Sequence, residues 1–148
     1  MIALLFLLAA ADIETQSCPV VQRVLKAAPS FSAVKGKEQK TSSTVVRWTK
    51  AVRLPLATRC MVIEHKDGSP SFWGCNMHAT TCKLTEAKYD AFVAELDGCL
   101  PAKHAAEDEG PRRTARWRLG DRWVRTIFKP AEKKKCGWDV FVEVPSVR

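Results

Sequence analysis

The stretch "ARWRLGDRWVRTIFK", Ala115 to Lys129, decides how this chain is read. Gly120-Asp121 at its centre is a two-residue turn signal, and apolar and basic residues alternate on both sides of it. Alternation with period two sends successive side chains to opposite faces of a strand. Folding about that turn places Leu119 opposite Arg122, and the register follows from there. One face then carries Ala115, Trp117 and Leu119 against Thr126, Val124 and Arg122, and this is the face to bury. The other carries Arg112, Arg116 and Arg118 against Lys129, Arg125 and Trp123. Five cations and an indole share that side. Trp123 opposite Arg118 permits guanidinium stacking, worth about 0.5–1 kcal/mol at an exposed site.

Arg116 opposite Arg125 repels, so a negative group is expected between them. An external anion would serve: a phosphate, a sulfated glycan or an acidic patch on a partner, gripped by arginine forks. An internal source is also available. In "GWDVFVEV", Gly137 to Val144, Trp138, Val140, Val142 and Val144 fit a core face, leaving Asp139, Phe141 and Glu143 on the other. If this strand pairs beside Arg122–Lys129, its two carboxylates form a cross-strand ladder with the arginines. Two acids cannot neutralise five bases, so positive charge remains in either case. "EKKKC", Glu132 to Cys136, would extend the same field.

Charge elsewhere sharpens the contrast. The chain has a formal net charge of +8, yet residues 1–110 hold 13 Lys and Arg against 12 Asp and Glu. Residues 111–148 hold 11 against 4. The excess sits in the last quarter, which points to an acidic partner.

The apolar run Ile2–Ala11 is too short to cross a bilayer, which takes roughly twenty residues. It suits the apolar region of a signal peptide, with Ala9-Ala10-Ala11 as the small residues before cleavage. Residues 1–11 are therefore expected to be removed, leaving 12–148 as one domain, secreted or periplasmic and with no transmembrane span. Genomic nucleic acid is then not an expected partner. An acidic protein, or an anionic envelope component such as a lipid headgroup or wall polymer, is.

Six cysteines in an exported chain favour disulfides over metal ligation. In "RCMVIEHKDGSPSFWGC", Arg59 to Cys75, two β-rich runs flank Asp67-Gly68, and pairing across that turn sets Cys60 opposite Cys75. Opposed Cβ atoms lie near disulfide distance, so Cys60–Cys75 is expected. "CKLTEAKYDAFVAELDGCL" reads as a helix, started by Thr85 and Glu86, with Tyr89, Phe92, Val93, Leu96 and Leu100 at helical spacing and Gly98 ending it. Cys82 and Cys99 would lie about 20–25 Å apart along it and cannot bond to each other. Cys99 must reach Cys18 or Cys136, and spacing does not choose between them.

A first helix over Cys18–Ala28, capped by Ser17 and stopped by Pro29, precedes a Lys-rich loop. A strand through Val46, Trp48, Val52 and Leu54 follows. The chain then reads as α-β-β-β-α-β-β-β: two helices packed on an antiparallel sheet, an α+β fold stapled by disulfides. In "SPSFWGCNM", Phe72 and Trp73 point to opposite faces of one strand, leaving one aromatic available as a contact anchor.

Catalytic signatures are absent from the sequence: no G-x-S-x-G, H-E-x-x-H, phosphate loop or calcium loop occurs, and no cofactor or metal is implied. His65, His78 and His104 could support a small secreted hydrolase such as a ribonuclease only if folding gathers them. The expectation is a binding protein, whether inhibitor, adaptor or accessory envelope protein.

Overall fold

The computed structural model describes residues 16–39, 42–49, 51–78, 81–130 and 136–145, so the expected signal segment lies outside the described residues. Among the described residues two helices, α1 (Cys18–Ala27) and α2 (Cys82–Cys99), accompany eight strands: β1 (Lys37–Gln39), β2 (Val45–Thr49), β3 (Ala57–His65), β4 (Phe72–His78), β5 (Ala105–Ala106), β6 (Arg113–Leu119), β7 (Arg122–Pro130) and β8 (Cys136–Glu143). The fold is α+β, as the patterning implied. Its order corrects the expectation by one strand in each half. β1 lies in what reads as a polar loop, and β5 is only two alanines within a charged one. All three residues of β1 and both of β5 are exposed, so neither carries a buried-face periodicity to read.

The sheet runs β1-β2-β3-β4-β8-β7-β6-β5, antiparallel throughout. Two four-stranded meanders are thus joined through β4 and β8, from Phe72 opposite Glu143 to His78 opposite Gly137. Both hairpin registers match those read from the turns. Leu119 faces Arg122 and Cys60 faces Cys75. In the first hairpin Ser69 and Pro70 lengthen the connection to residues 66–71 without shifting the register.

The helices pack on one face. There β3 contributes Cys60 and Val62, β4 Trp73, Cys75 and Met77, β8 Trp138, Val140 and Val142, β7 Val124, Thr126 and Phe128, and β6 Ala115 and Trp117, all buried. α2 meets them with Tyr89, Phe92 and Leu96, and the Tyr89 ring lies 5.4 Å from Phe128 and 6.1 Å from Trp138. The strand expected to run from Val46 through Leu54 stops at Thr49 instead. Beyond it Ala51 and Leu54 turn into the core, and the Trp73 indole donates to the Val52 carbonyl at 3.0 Å.

Helix ends also depart from expectation. Ser17 makes no side-chain cap; Glu95 of α2 accepts from the backbone N–H groups of Ser17 and Cys18 at 2.7 and 2.9 Å. A carboxylate there also suits the positive end of the helix dipole. α2 starts three residues earlier than read, because the Thr81 hydroxyl accepts from Leu84 N–H and caps it. Three disulfides complete the framework: Cys18–Cys99 ties the start of α1 to the end of α2, Cys82–Cys136 ties α2 to β8, and Cys60–Cys75 spans β3 and β4. No helix among the described residues is long and apolar enough to cross a membrane.

Candidate functional site

The second face of the sheet is left uncovered by the helices, and pairing arranges its side chains in rows. One row runs straight across six strands: Arg47 opposite Ile63, Ile63 opposite Phe72, Phe72 opposite Glu143, Glu143 opposite Trp123, and Trp123 opposite Arg118. The neighbouring row carries Met61, Gly74, Phe141, Arg125 and Arg116. Phe72 points to this face and is half-buried there, while Trp73 is fully buried on the other.

The rings and guanidinium groups of these rows touch in sequence. Phe72 meets Phe141 edge-on with centroids 5.9 Å apart. Arg125 lies over Phe141 at 5.2 Å. Trp123 is stacked by Arg116 at 4.6 Å and by Arg118 at 4.9 Å. Gly74 makes room for this ribbon, since a Cβ there would lie 3.0 Å from Cδ1 of Phe141.

Charge on this face is largely balanced from within. Arg125 pairs with Glu143, Nε lying 3.1 Å from Oε1 but off line for a hydrogen bond, while Nη2 donates to Oε2 at 3.4 Å. Lys129 meets Asp139 at 2.7 Å, and Asn76 donates to the other oxygen of the same carboxylate at 2.7 Å. The two acids of β8 therefore form the internal ladder that the alternation of Gly137–Val144 implied. A third acid was not foreseen: Glu107, just beyond β5, lies 2.9 Å from Arg116. Nothing in a two-alanine strand announces that pairing.

The six expected site residues consequently divide. Arg116, Trp123, Arg125 and Lys129 share the outer face in the expected register, with the three cations paired. Arg118 is exposed, stacked on Trp123 and without a carboxylate partner among the described residues. Arg112 stands apart, because the chain turns through Gly110, at φ +57, and Arg112 pairs back to Glu109 instead of entering β6 opposite Lys129. Arg113 takes the helix side, bonding Asp90 at 2.7 Å and Glu86 at 3.3 Å across the Tyr89 ring. The bond to Asp90 holds its pKa above the ordinary arginine value despite partial burial.

The two histidines whose side chains are described, His65 and His104, are not gathered. His65 lies on the outer face beside Phe72, with ring centroids 6.2 Å apart. His104 lies on the helix side, its Nδ1 2.8 Å from Asp97 and its ring 5.6 Å from Trp117. The side chain of His78 is outside the described residues; its backbone closes β4. Asp97 also accepts from His104 N–H at 3.0 Å and from the Trp117 indole at 2.9 Å. Burial pushes its carboxyl pKa up, but these hydrogen bonds outweigh it and hold the group below the ordinary aspartate value. No group of His, Cys, Asp and Glu among the described residues is arranged to hold a metal.

No family model matches this chain, and comparison with curated proteins and with solved structures gives no significant match.

Proposed function

We propose that this is a small exported binding protein whose outer sheet face, centred on the basic C-terminal meander, contacts an acidic protein partner. One observation carries the reading: Trp123 is stacked by Arg116 and Arg118 on a face the helices do not cover, and Arg118 has no carboxylate partner among the described residues. Aromatic and arginine side chains are what protein interfaces concentrate at their cores. A surface for a dense polyanion would instead keep most of its cations unpaired, whereas Arg116, Arg125 and Lys129 already have acids. That favours a protein over a lipid headgroup or wall polymer. Export and removal of residues 1–11 belong to the same proposal, supported by six cysteines that all form disulfides. An inhibitor, an adaptor or an accessory envelope protein would all work this way.

Two experiments test it. Mass spectrometry of protein recovered from the exported fraction is expected to show a chain starting at Asp12 and lacking six hydrogens; an intact Met1 with free thiols contradicts export. Pull-down from envelope extract is run with wild type, Arg118→Glu and Trp123→Ala. The expected catch is an acidic protein, released as salt rises from about 0.05 to 0.5 M, and lost in both variants. An unchanged catch places the site elsewhere, and capture of lipid or polymer alone assigns the face to the envelope.

A further inference from the structure

We infer that the partner of this face carries an apolar side chain, about 19 Å from its acidic group, that enters a cleft at the opposite end of the Arg47–Arg118 row. The inference rests on the reading of the outer face as a binding surface. At that end lies a cleft of about 550 Å³, lined by apolar Val45, Ile63 and Phe72 and by polar Gln39, Ser42, Arg47 and His65. Pockets in this size range bury apolar groups and orient them with a few polar contacts.

Cleft and cation are parts of one surface. Phe72, which lines the cleft, meets Phe141, and Phe141 lies under Arg125. From Ile63 on β3 to Arg118 on β6 the row crosses four strand spacings, about 19 Å at roughly 4.8 Å each. Charge complementarity fixes the chemistry of the occupant. Exposed Arg47 stands at the cleft and exposed Arg118 at the far end, so the match is an apolar residue in a segment otherwise acidic. A second copy of this chain, at +8, would be repelled.

Synthetic peptides make the test. The probe is one leucine, eight Gly and Ser residues and four glutamates, long enough to span the row. Controls replace the leucine by glycine or cut the spacer to two residues. Binding is followed by NMR titration. The full probe is expected to bind roughly tenfold more tightly than the glycine control, as burial of a leucine side chain allows, with the short spacer gaining nothing. Val45→Asn should abolish the tenfold gain without adding charge to the face. Gln39→Trp, which fills the cleft from the exposed edge strand β1, should do the same, so a fold defect at Val45 cannot mimic the result. Arg118→Glu should weaken both peptides. If leucine adds nothing, or adds as much through the short spacer, the cleft inference is overturned while the binding face stands on the control. If no peptide binds, both fall.

Discussion

Replacing Asp97 by alanine should cost about 3 kcal/mol of folding stability, although the residue lies in neither the sheet nor the disulfide framework. Its carboxylate accepts from Trp117 Nε1, His104 N–H and His104 Nδ1 at 2.9, 3.0 and 2.8 Å. The Trp117 ring is fully buried, so truncation leaves its indole N–H without its protein acceptor, at a cost of about 1–3 kcal/mol. The two bonds to His104 count for less, because the side chains of Asp97 and His104 are 21% and 31% exposed and water can replace part of what is lost. Together they add roughly 1 kcal/mol. Asp97→Asn keeps an acceptor for the indole and should lose about half as much. Urea denaturation with disulfides intact reads the difference, and melting should fall by roughly 10 °C for alanine.

The pH dependence follows from the depressed carboxyl. A group whose folded pKa lies below its unfolded value stabilises above the unfolded value, and that contribution is lost as pH falls through the folded one. Wild type should therefore lose more stability than Asp97→Asn on acidification below about pH 4. A loss under 0.5 kcal/mol for alanine (about that of an ordinary surface change) would show that Trp117 is satisfied some other way. Because Asp97 pins the turn that leads into β5, Asp97→Ala should also loosen the Glu107–Arg116 pair at the edge of the proposed face.

Further outcomes can be checked on the same protein. Tyr89 is the only tyrosine, and burial raises its pKa above the ordinary value against the opposing hydrogen bond from Thr126. Alkaline absorbance should titrate above about pH 10, with stability lost as pH rises through that transition; titration at the free-tyrosine value would mean an open core. Leu56 sits at φ +65 in the turn that Leu54 closes with Ala57, and it is 68% exposed. Leu56→Gly relieves about 1–2 kcal/mol of backbone strain and costs about 0.5–1 in chain entropy, so calorimetry should show no loss and up to about 1.5 kcal/mol of gain. A clear loss would reveal packing by Leu56. Gly74→Ala should displace the Phe141 ring and reduce binding at the outer face more than it reduces stability; equal binding would mean that the ribbon does not depend on Phe141 lying across Gly74.

How much of this was legible depends on the range of each interaction. Gly120-Asp121 and Asp67-Gly68 are local signals, and with the alternation around them they yielded two registers, the Cys60–Cys75 pair and the split between Trp117 and Arg118. The acids of β8 were readable as a set because Trp138, Val140 and Val142 claim the other face. What stayed hidden is long-range. No residue of β4 announces that it will lie beside β8, and without that pairing the row from Arg47 to Arg118 does not exist. Glu95 as cap of α1 and Glu107 as partner of Arg116 depend on elements brought together from far along the chain. Arg112 and Arg113 look interchangeable in sequence, yet a turn at Gly110 leaves one in the connection and sends the other to α2.

The five indole N–H signals report most directly on whether the outer face binds acid. In an NMR titration with a tetraglutamate peptide, the Trp123 resonance should move first and furthest, while those of buried Trp73, Trp117 and Trp138 hold still. A Trp123 signal that stays fixed while other indoles shift would remove the outer face from consideration as the binding surface.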